Sequence, residues 1–320
     1  MAELLIVENR ASRRGKRVAA ALRRQLEERS SAASVEWATI SRLGDAGTPE
    51  RRVLAVGGDG TVNAVASWLE ERRLRLPLGI VPAGTGNNLA RGFGIPLDTD
   101  LACRVALESE ETAPLDALAY TDGAAGAARL MIQAGALGFP ADVALRYDRL
   151  RRNPAFRFVA AAAGTYIYLA LALMGVARQR WRERRGLPHL NIRCEIDGET
   201  LDEDVLALFI GNEKSLGGGF VPCPRARVDD GKIDLCVVRA GSERSYLRLL
   251  ARVSRGEHVD LDDCIVYRQT AQPVEMRLSR PAPFLADGDL WLHDDRYRLE
   301  VLPGRFDIVV DGGRQPGSGE

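Results

Sequence analysis

The chain of 320 residues is poor in cysteine, with five: Cys103, Cys194, Cys223, Cys236 and Cys264. They are scattered and odd in number, and no two stand at C-x-x-C spacing. That pattern argues against a disulfide framework or a zinc site, and it suits a reducing cytoplasm. Histidine is scarcer still. His189, His258 and His293 show no triad or metal spacing. There is no excess charge of either sign, with 44 Lys plus Arg against 44 Asp plus Glu. Nothing in that balance points to nucleic acid or a polyanionic surface. The opening "MAELLIVENR" lacks a basic n-region and carries only a short apolar run. It reads as a first strand and not as a signal peptide. No internal repeat is visible, and only the tail "GGRQPGSGE" is low in complexity, so it is expected to be disordered.

Long apolar runs are also scarce. One charge-free stretch, residues 158–177, has the length of a bilayer crossing and is followed by "RQRWRERR". Alanine and glycine dilute it, so it reads as a buried or partly lipid-facing helix. The basic run with Trp181 suits an anionic membrane surface. It equally suits a solvated helix end.

What is present falls into two parts. The first third alternates strands ("ELLIVEN", "SVEWATI", "RRVLAV", "PLGIVPAG") with helices ("SRRGKRVAAALRRQLEERS", "TVNAVASWLEERR", "TDLACRVALES"). Such alternation predicts a mostly parallel sheet covered on both faces, with ligands at the carboxyl ends of its strands. After residue 125 a long helical stretch, 141–185, gives way to short β-rich runs punctuated by Gly, Pro and Asp. Those runs predict an antiparallel sandwich or barrel. Trp68, at helical spacing, is expected in the core.

Two strand-to-helix turns carry the chemistry. "VGGDGTV" places Gly57, Gly58 and Gly60 where positive φ or close backbone approach is useful. Thr61 is expected to cap the next helix, whose N-terminus favours an anion. "VPAGTGNNLAR" repeats the design with Gly84, Thr85, Gly86, Asn87 and Asn88. Two such turns on neighbouring strand ends make a groove for a di- or triphosphate. Asp59 is out of place in a bare phosphate cradle. It is expected to accept from nucleotide hydroxyls or from water on Mg²⁺, or to orient Thr61 and a neighbouring turn.

"GGDGTVNAV" and "PAGTGNNLAR", with "GNEKSLGGGFVPCPRARVDDGKIDL" and "FLADGDL" further on, resemble the diacylglycerol kinase catalytic domain family. That family includes bacterial diacylglycerol kinases and sphingosine and ceramide kinases. The four blocks fall in the family's order along nearly the whole chain. The resemblance implies an α/β plus β architecture. An N-terminal NAD kinase-like α/β domain, residues 1–124 with 306–320 returning to it, would bind ATP and Mg²⁺. A C-terminal antiparallel β-sandwich domain, 125–305 with the helical insertion 141–185, would hold the lipid.

The resemblance also implies roles. Asn9, Ser12, Thr39, Gly57, Gly58, Asp59, Gly60, Thr61, Asn63, Gly84, Thr85 and Asn87 would bind the nucleotide. Asp287 and Asp289 would be catalytic, with Asp289 at the family's proton-accepting glutamate. Asp230, with the backbone carbonyls of Arg227 and Lys232, would hold a structural Mg²⁺. "GFPADV" resembles the sphingosine kinases and puts Asp142 where they recognise the lipid head group. A surface carboxylate at a helix start explains Asp142 equally well. The run 158–177 would line the acyl-chain pocket.

There are departures. "NRASRR" lacks the family's proline and glycine, Asn88 replaces a frequent aspartate, and Asp289 is one methylene shorter than glutamate. The expected reaction is phosphoryl transfer from ATP to a lipid hydroxyl. The alternatives are an NAD kinase-like enzyme with a soluble acceptor, or a weakened lipid-binding or regulatory protein. The expected partners are a lipid substrate, the inner face of a membrane as a peripheral contact, and a second copy in a homodimer. Nucleic acid is not among them.

Overall fold

A computed structural model of the chain describes residues 2–10, 12–28, 34–123, 128–150, 152–153, 166–216, 220–241, 246–261 and 263–312. The glycine triplet at 217–219, the first part of the apolar run (158–165) and the tail from 313 lie outside the described residues. The chain divides into two compact units. The first comprises Met1–Ala117, Val228–Asp230 and Leu302–Glu320, and the second Leu118–Arg227 and Gly231–Val301.

The first unit opens as alternation predicts: β1 (Leu4–Glu8), α1 (Arg13–Glu28), β2 (Val35–Thr39), a 3₁₀ turn (Ile40–Asp45), β3 (Arg52–Gly57), α2 (Asp59–Glu71), β4 (Leu78–Pro82), α3 (Asn88–Gly92) and α4 (Thr99–Glu108). The strands run parallel in the order β4-β3-β1-β2. β1, β3 and β4 are buried along their whole length, as sheets covered on both faces require. The β1-to-β2 and β3-to-β4 crossovers step in opposite directions from the sheet centre. Right-handed crossovers therefore set α1 and α2 on opposite faces, and Trp68 of α2 is buried. Two side chains fix α4. Asp98 caps its start by accepting from Asp100 N and Leu101 N at 3.1 and 3.0 Å. The buried Arg52 closes its end by donating to the Ala106 and Ser109 carbonyls at 2.8 and 2.9 Å.

The second unit is mainly antiparallel. Its strands are the end of β5 (Thr112–Asp122), β6 (Arg129–Met131), β7 (Ala134–Gly138), β8 (Leu190–Ile196), β9 (Glu199–Gly211), β10 (Ile233–Arg239), β11 (Ile265–Thr270), β12 (Val274–Ala286) and the start of β13 (Asp289–Val309). β9 and β12 are long enough to be shared. Each pairs β8 along its first half and β7 near its end. Tyr120, Phe284 and Tyr297 stack in series inside, at 4.9 and 5.1 Å between ring centroids. The helices are α5 (Phe139–Leu150), α6 (Tyr166–Arg184) and α7 (Tyr246–Val253). α5 lies on β7 and β12 and against α6. Gly175 of α6 permits that approach, because a Cβ there would sit 2.7 Å from the Phe139 ring.

Three readings of the sequence change. "PVEMRLSR" and the start of "FLADGDL" are one strand, β12, whose pairing with β13 shifts register between Arg277 and Ala282 around Pro281. "LWL", "RYRLEVLP" and "RFDIVV" are likewise one strand, β13. β13 runs on from its pairing with β12, which reaches Leu299, to Ile308 beside β4, with Gly304 at φ 53° in between. β5, β6 and β7 were not anticipated, since "TAPLDALAYTD" and "AGAARLMIQAGALG" have little β-branching and much alanine. Neither was α7, which is only eight residues long. β13 ends in the first unit, where Ile308 runs parallel beside Leu78 of β4.

Candidate active site

In the first unit β1 is flanked by β2 and β3, whose connections diverge. The crevice outside the carboxyl ends of such strands is where open α/β sheets bind ligands. The four strand ends lie in register: Glu8 with Thr39, Glu8 with Val56, and Gly57 with Pro82. Glu8 is buried and accepts from Arg10 Nε at 2.7 Å and from an Arg23 amino group at 3.0 Å. The loop after β1 is tied down. Asn9 N donates to the Val56 carbonyl at 3.1 Å, and Ser12 Oγ accepts from Gly15 N at 2.8 Å. Thr39 ends β2 half-buried, its hydroxyl 3.1 Å from that of Ser41.

The two glycine turns pack backbone to backbone. A Cβ on Gly58 would lie 2.9 Å from Gly84 Cα, and one on Gly84 would lie 2.5 Å from Gly58 Cα. No other residue fits either position. Gly57 is excluded from having a side chain by Thr61, whose Oγ1 would be 2.0 Å from its Cβ. Gly60 is different, with nothing within 4 Å of its missing Cβ. Packing does not demand glycine there, whereas an anion approaching the N-terminus of α2 does benefit from it. None of Gly57, Gly58 and Gly60 takes a positive φ. Close approach, and not left-handed backbone, is their use. The left-handed residue is Asn87 (φ 52°), whose side chain closes the second turn. Its Oδ1 accepts from Gly84 N at 2.8 Å and its Nδ2 donates to the Gly84 carbonyl at 3.1 Å.

Thr61 is not the cap of α2. That place is taken by Gly58, with no side-chain cap. Thr61 sits in the first turn, buried, and its Oγ1 has no hydrogen-bond partner among the described residues. The buried Oδ1 of Asn63 has none either. Asp59 is half-buried and ties the two turns together, its Oδ1 accepting from Leu89 N of α3 at 3.2 Å. Two cations rim the second turn. Arg14 donates to the Gly84 carbonyl at 3.2 Å, and Arg91 Nε to that of Gly86 at 3.3 Å. The sequence reading missed both. Arginine in the first turn of α1, unfavourable to the helix dipole, was the available signal for Arg14.

In the second unit "ADGD" forms the β12–β13 hairpin. Asp287 and Gly288 both have positive φ, 48° and 89°, the pairing that a two-residue type I′ turn needs. The Asp287 carboxylate accepts three backbone bonds, from Ile132 N (2.8 Å), Gln133 N (3.0 Å) and Ala134 N (3.1 Å), while Asp287 N donates to the Ala134 carbonyl at 2.9 Å. These bonds pin the hairpin to the start of β7. Asp289 opens β13 with its side chain exposed. Tyr120, also missed, lies near both. Burial, with the charges of Asp287 and Asp289 adding to it, pushes its phenol well above the usual value and keeps it protonated.

Asp142 is exposed in the first turn of α5. Asp230 is half-buried in the turn before β10, next to Gly231 at φ 66°, and Arg227 and Lys232 are exposed. Among the described residues no group of three His, Cys, Asp or Glu side chains is placed to hold a metal. The Mg²⁺ arrangement that the family resemblance implies is of another kind, one carboxylate and two carbonyls. Of the described side chains between 170 and 177, Leu171 is buried and Leu173, Met174 and Ala177 are exposed. All five cysteines are buried, and none is joined in a disulfide.

Residues 3–119 match the model of the diacylglycerol kinase catalytic domain, and 149–310 match that of the YegS C-terminal NAD kinase beta sandwich-like domain. A diacylglycerol kinase of Mycobacterium tuberculosis is 31% identical over 224 residues, 70% of this chain and 66% of that relative. A probable YegS-like lipid kinase of Klebsiella pneumoniae is 30% identical over 78% of this chain and 75% of its own length. Among solved structures, a putative diacylglycerol kinase from Bacillus anthracis superposes with TM-score 0.68 at 18% identity, over 97% of each chain. An NAD kinase from Archaeoglobus fulgidus in complex with ATP gives 0.50 at 13% identity. These two speak for the fold alone. The chain belongs to the diacylglycerol kinase catalytic domain family, with a C-terminal domain of the YegS type. At the level of that family the activity is that of a lipid kinase.

Proposed function

We propose that this chain is an ATP-dependent lipid kinase that moves the γ-phosphoryl group to a hydroxyl of a diacylglycerol- or sphingoid-like acceptor. One observation carries the reading. Two glycine turns meet at Gly58 and Gly84, beside an N-terminal helix turn whose Gly60 faces open space and whose Thr61 hydroxyl lacks a partner. Phosphate oxygens suit such a place, because backbone N–H groups and the helix dipole favour an anion there.

In this reading the residues from Gly57 to Asn63, with Gly84, Thr85 and Asn87, hold the nucleotide phosphates, and the strand-end residues Asn9, Ser12 and Thr39 border them. Mg²⁺, when bound, neutralises phosphate charge. Asp59 helps to organise the site by locking α2 to α3. Asp289 accepts the proton of the attacking hydroxyl as its oxygen bonds to the γ-phosphorus and the bond to the ADP oxygen breaks. Asp287 holds the hairpin that presents Asp289. Asp142 recognises the acceptor head group.

The test is ATP consumption by the full chain with Mg²⁺, against diacylglycerol, sphingoid bases, ceramide, phosphatidylglycerol and NAD. Turnover with a lipid hydroxyl is expected. Turnover with NAD alone overturns the acceptor class. Tight nucleotide binding without turnover on any acceptor gives the protein a binding or regulatory role, a reading favoured by the short Asp289.

A further inference from the structure

Seven large apolar side chains are conspicuously exposed among the described residues, and four of them, Leu173, Met174, Trp181 and Leu187, lie on α6 or just beyond it. At 100° per residue, Ala170, Leu173, Met174, Ala177 and Trp181 fall within about 60° of one line along the helix. All five are exposed. The opposite side of α6 is already used, with Leu171 buried and Gly175 against Phe139 of α5. The helix is thus apolar toward its neighbour and apolar again on its outward face.

The flanks of that face are basic. Residues 178–185 hold five arginines, at 178, 180, 182, 184 and 185, against the single acid Glu183. By the same angular count Arg178, Arg180, Arg184 and Arg185 border the apolar stripe, and Glu183 points away from it. The Arg185 guanidinium lies 4.4 Å from the Trp181 ring centroid, so an aromatic ring and a cation share one boundary. No helix among the described residues is long and apolar enough to cross a membrane.

We propose that the outward face of α6 docks the protein on an anionic lipid surface, the helix lying in the plane of the interface. The apolar stripe enters the acyl boundary. The arginines extend to phosphate head groups, and Trp181 sits between the two layers. A membrane is the occupant that matches apolar and cationic surface in this order, since it presents hydrocarbon and negative charge in successive layers. The inference does not depend on phosphoryl transfer.

Flotation of the full chain with vesicles, without nucleotide, tests it. The wild type is expected to float with phosphatidylglycerol–phosphatidylcholine vesicles, to dissociate as salt rises, and to ignore pure phosphatidylcholine. Leu173→Asp with Met174→Asp, and separately Arg184→Glu with Arg185→Glu, should each lower the vesicle partition coefficient by at least about tenfold, with unchanged circular dichroism. Vesicles should shift tryptophan emission to the blue in the wild type and not in Trp181→Phe. Equal flotation of the variants and wild type, or no binding to anionic vesicles, overturns the proposal. So does an Asp pair that turns a dimer into a monomer while flotation is unchanged, which gives the face to a second copy. Because no turnover is measured, a failed kinase assay leaves this result standing.

Discussion

Asp287 and Asp289 stand two positions apart in opposite surroundings. Asp287 accepts three backbone N–H bonds, while Asp289 is exposed on the ladder. Asp289→Asn should lower lipid phosphorylation by about 10²–10⁴-fold, the usual loss for a general base, and leave nucleotide affinity in calorimetry unchanged. Asp287→Ala should instead destabilise the fold. Three amides lose their acceptor and a residue with a Cβ keeps a positive φ, so urea titration should show a loss of about 2–4 kcal/mol. Gly84→Ala tests the meeting of the turns. Its Cβ would overlap Gly58 Cα, and the forced separation should cost about 1–3 kcal/mol together with most of the nucleotide affinity. Wild-type binding by a folded Gly84→Ala protein would show that the cradle does not need this contact.

At the scale of elements, the fold relies on side chains that close gaps between strands and helices. Arg52 does so at the end of α4 and Asp59 between α2 and α3. His258 does so before β11. It is fully buried, with Nε2 3.0 Å from the Pro222 carbonyl and 3.4 Å from Cys236 Sγ. Burial lowers its pKa below the ordinary 6.5, partly opposed by the Pro222 carbonyl. The unfolded chain therefore takes up this proton more readily than the folded one. Stability should be level above the unfolded pKa, fall as pH drops through about 6.5, and level off once the folded pKa is passed. Urea midpoints measured across that range should fall more steeply for the wild type than for His258→Asn, whose side chain does not titrate.

For the whole molecule, a ligand that binds only the folded chain raises its melting temperature by mass action. At a hundred times its dissociation constant, MgATP should add about 2.7 kcal/mol, which is a shift of several degrees. ATP with a chelator should give a smaller shift, since the phosphates then meet Asp59 without a cation to offset the charge. Differential scanning fluorimetry with and without chelator measures the difference. An equal shift in both would remove Mg²⁺ from the binding step.

The sequence by itself determined the α/β unit closely. Its inner strands β1, β3 and β4 are mostly apolar runs, its helices carry the 3.6 period, and glycine punctuates their joins. It also marked the two glycine turns by composition, although only the crowding of Gly57 by Thr61 is local, and that of Gly58 and Gly84 is a contact between the turns. Tertiary structure decided the rest. No local signal says that Asp59 reaches Leu89, thirty residues on, or that Asp287 serves amides more than 150 residues earlier in the chain. Periodicity could not join the last runs into the 21-residue β13, since Pro303 and Gly304 interrupt the pattern while the chain runs on from its ladder with β12 to its place beside β4. The outward face of α6 was hidden for a related reason. An apolar run reads the same whether its side chains face a core or the outside, and only packing against α5 shows which of them are left over.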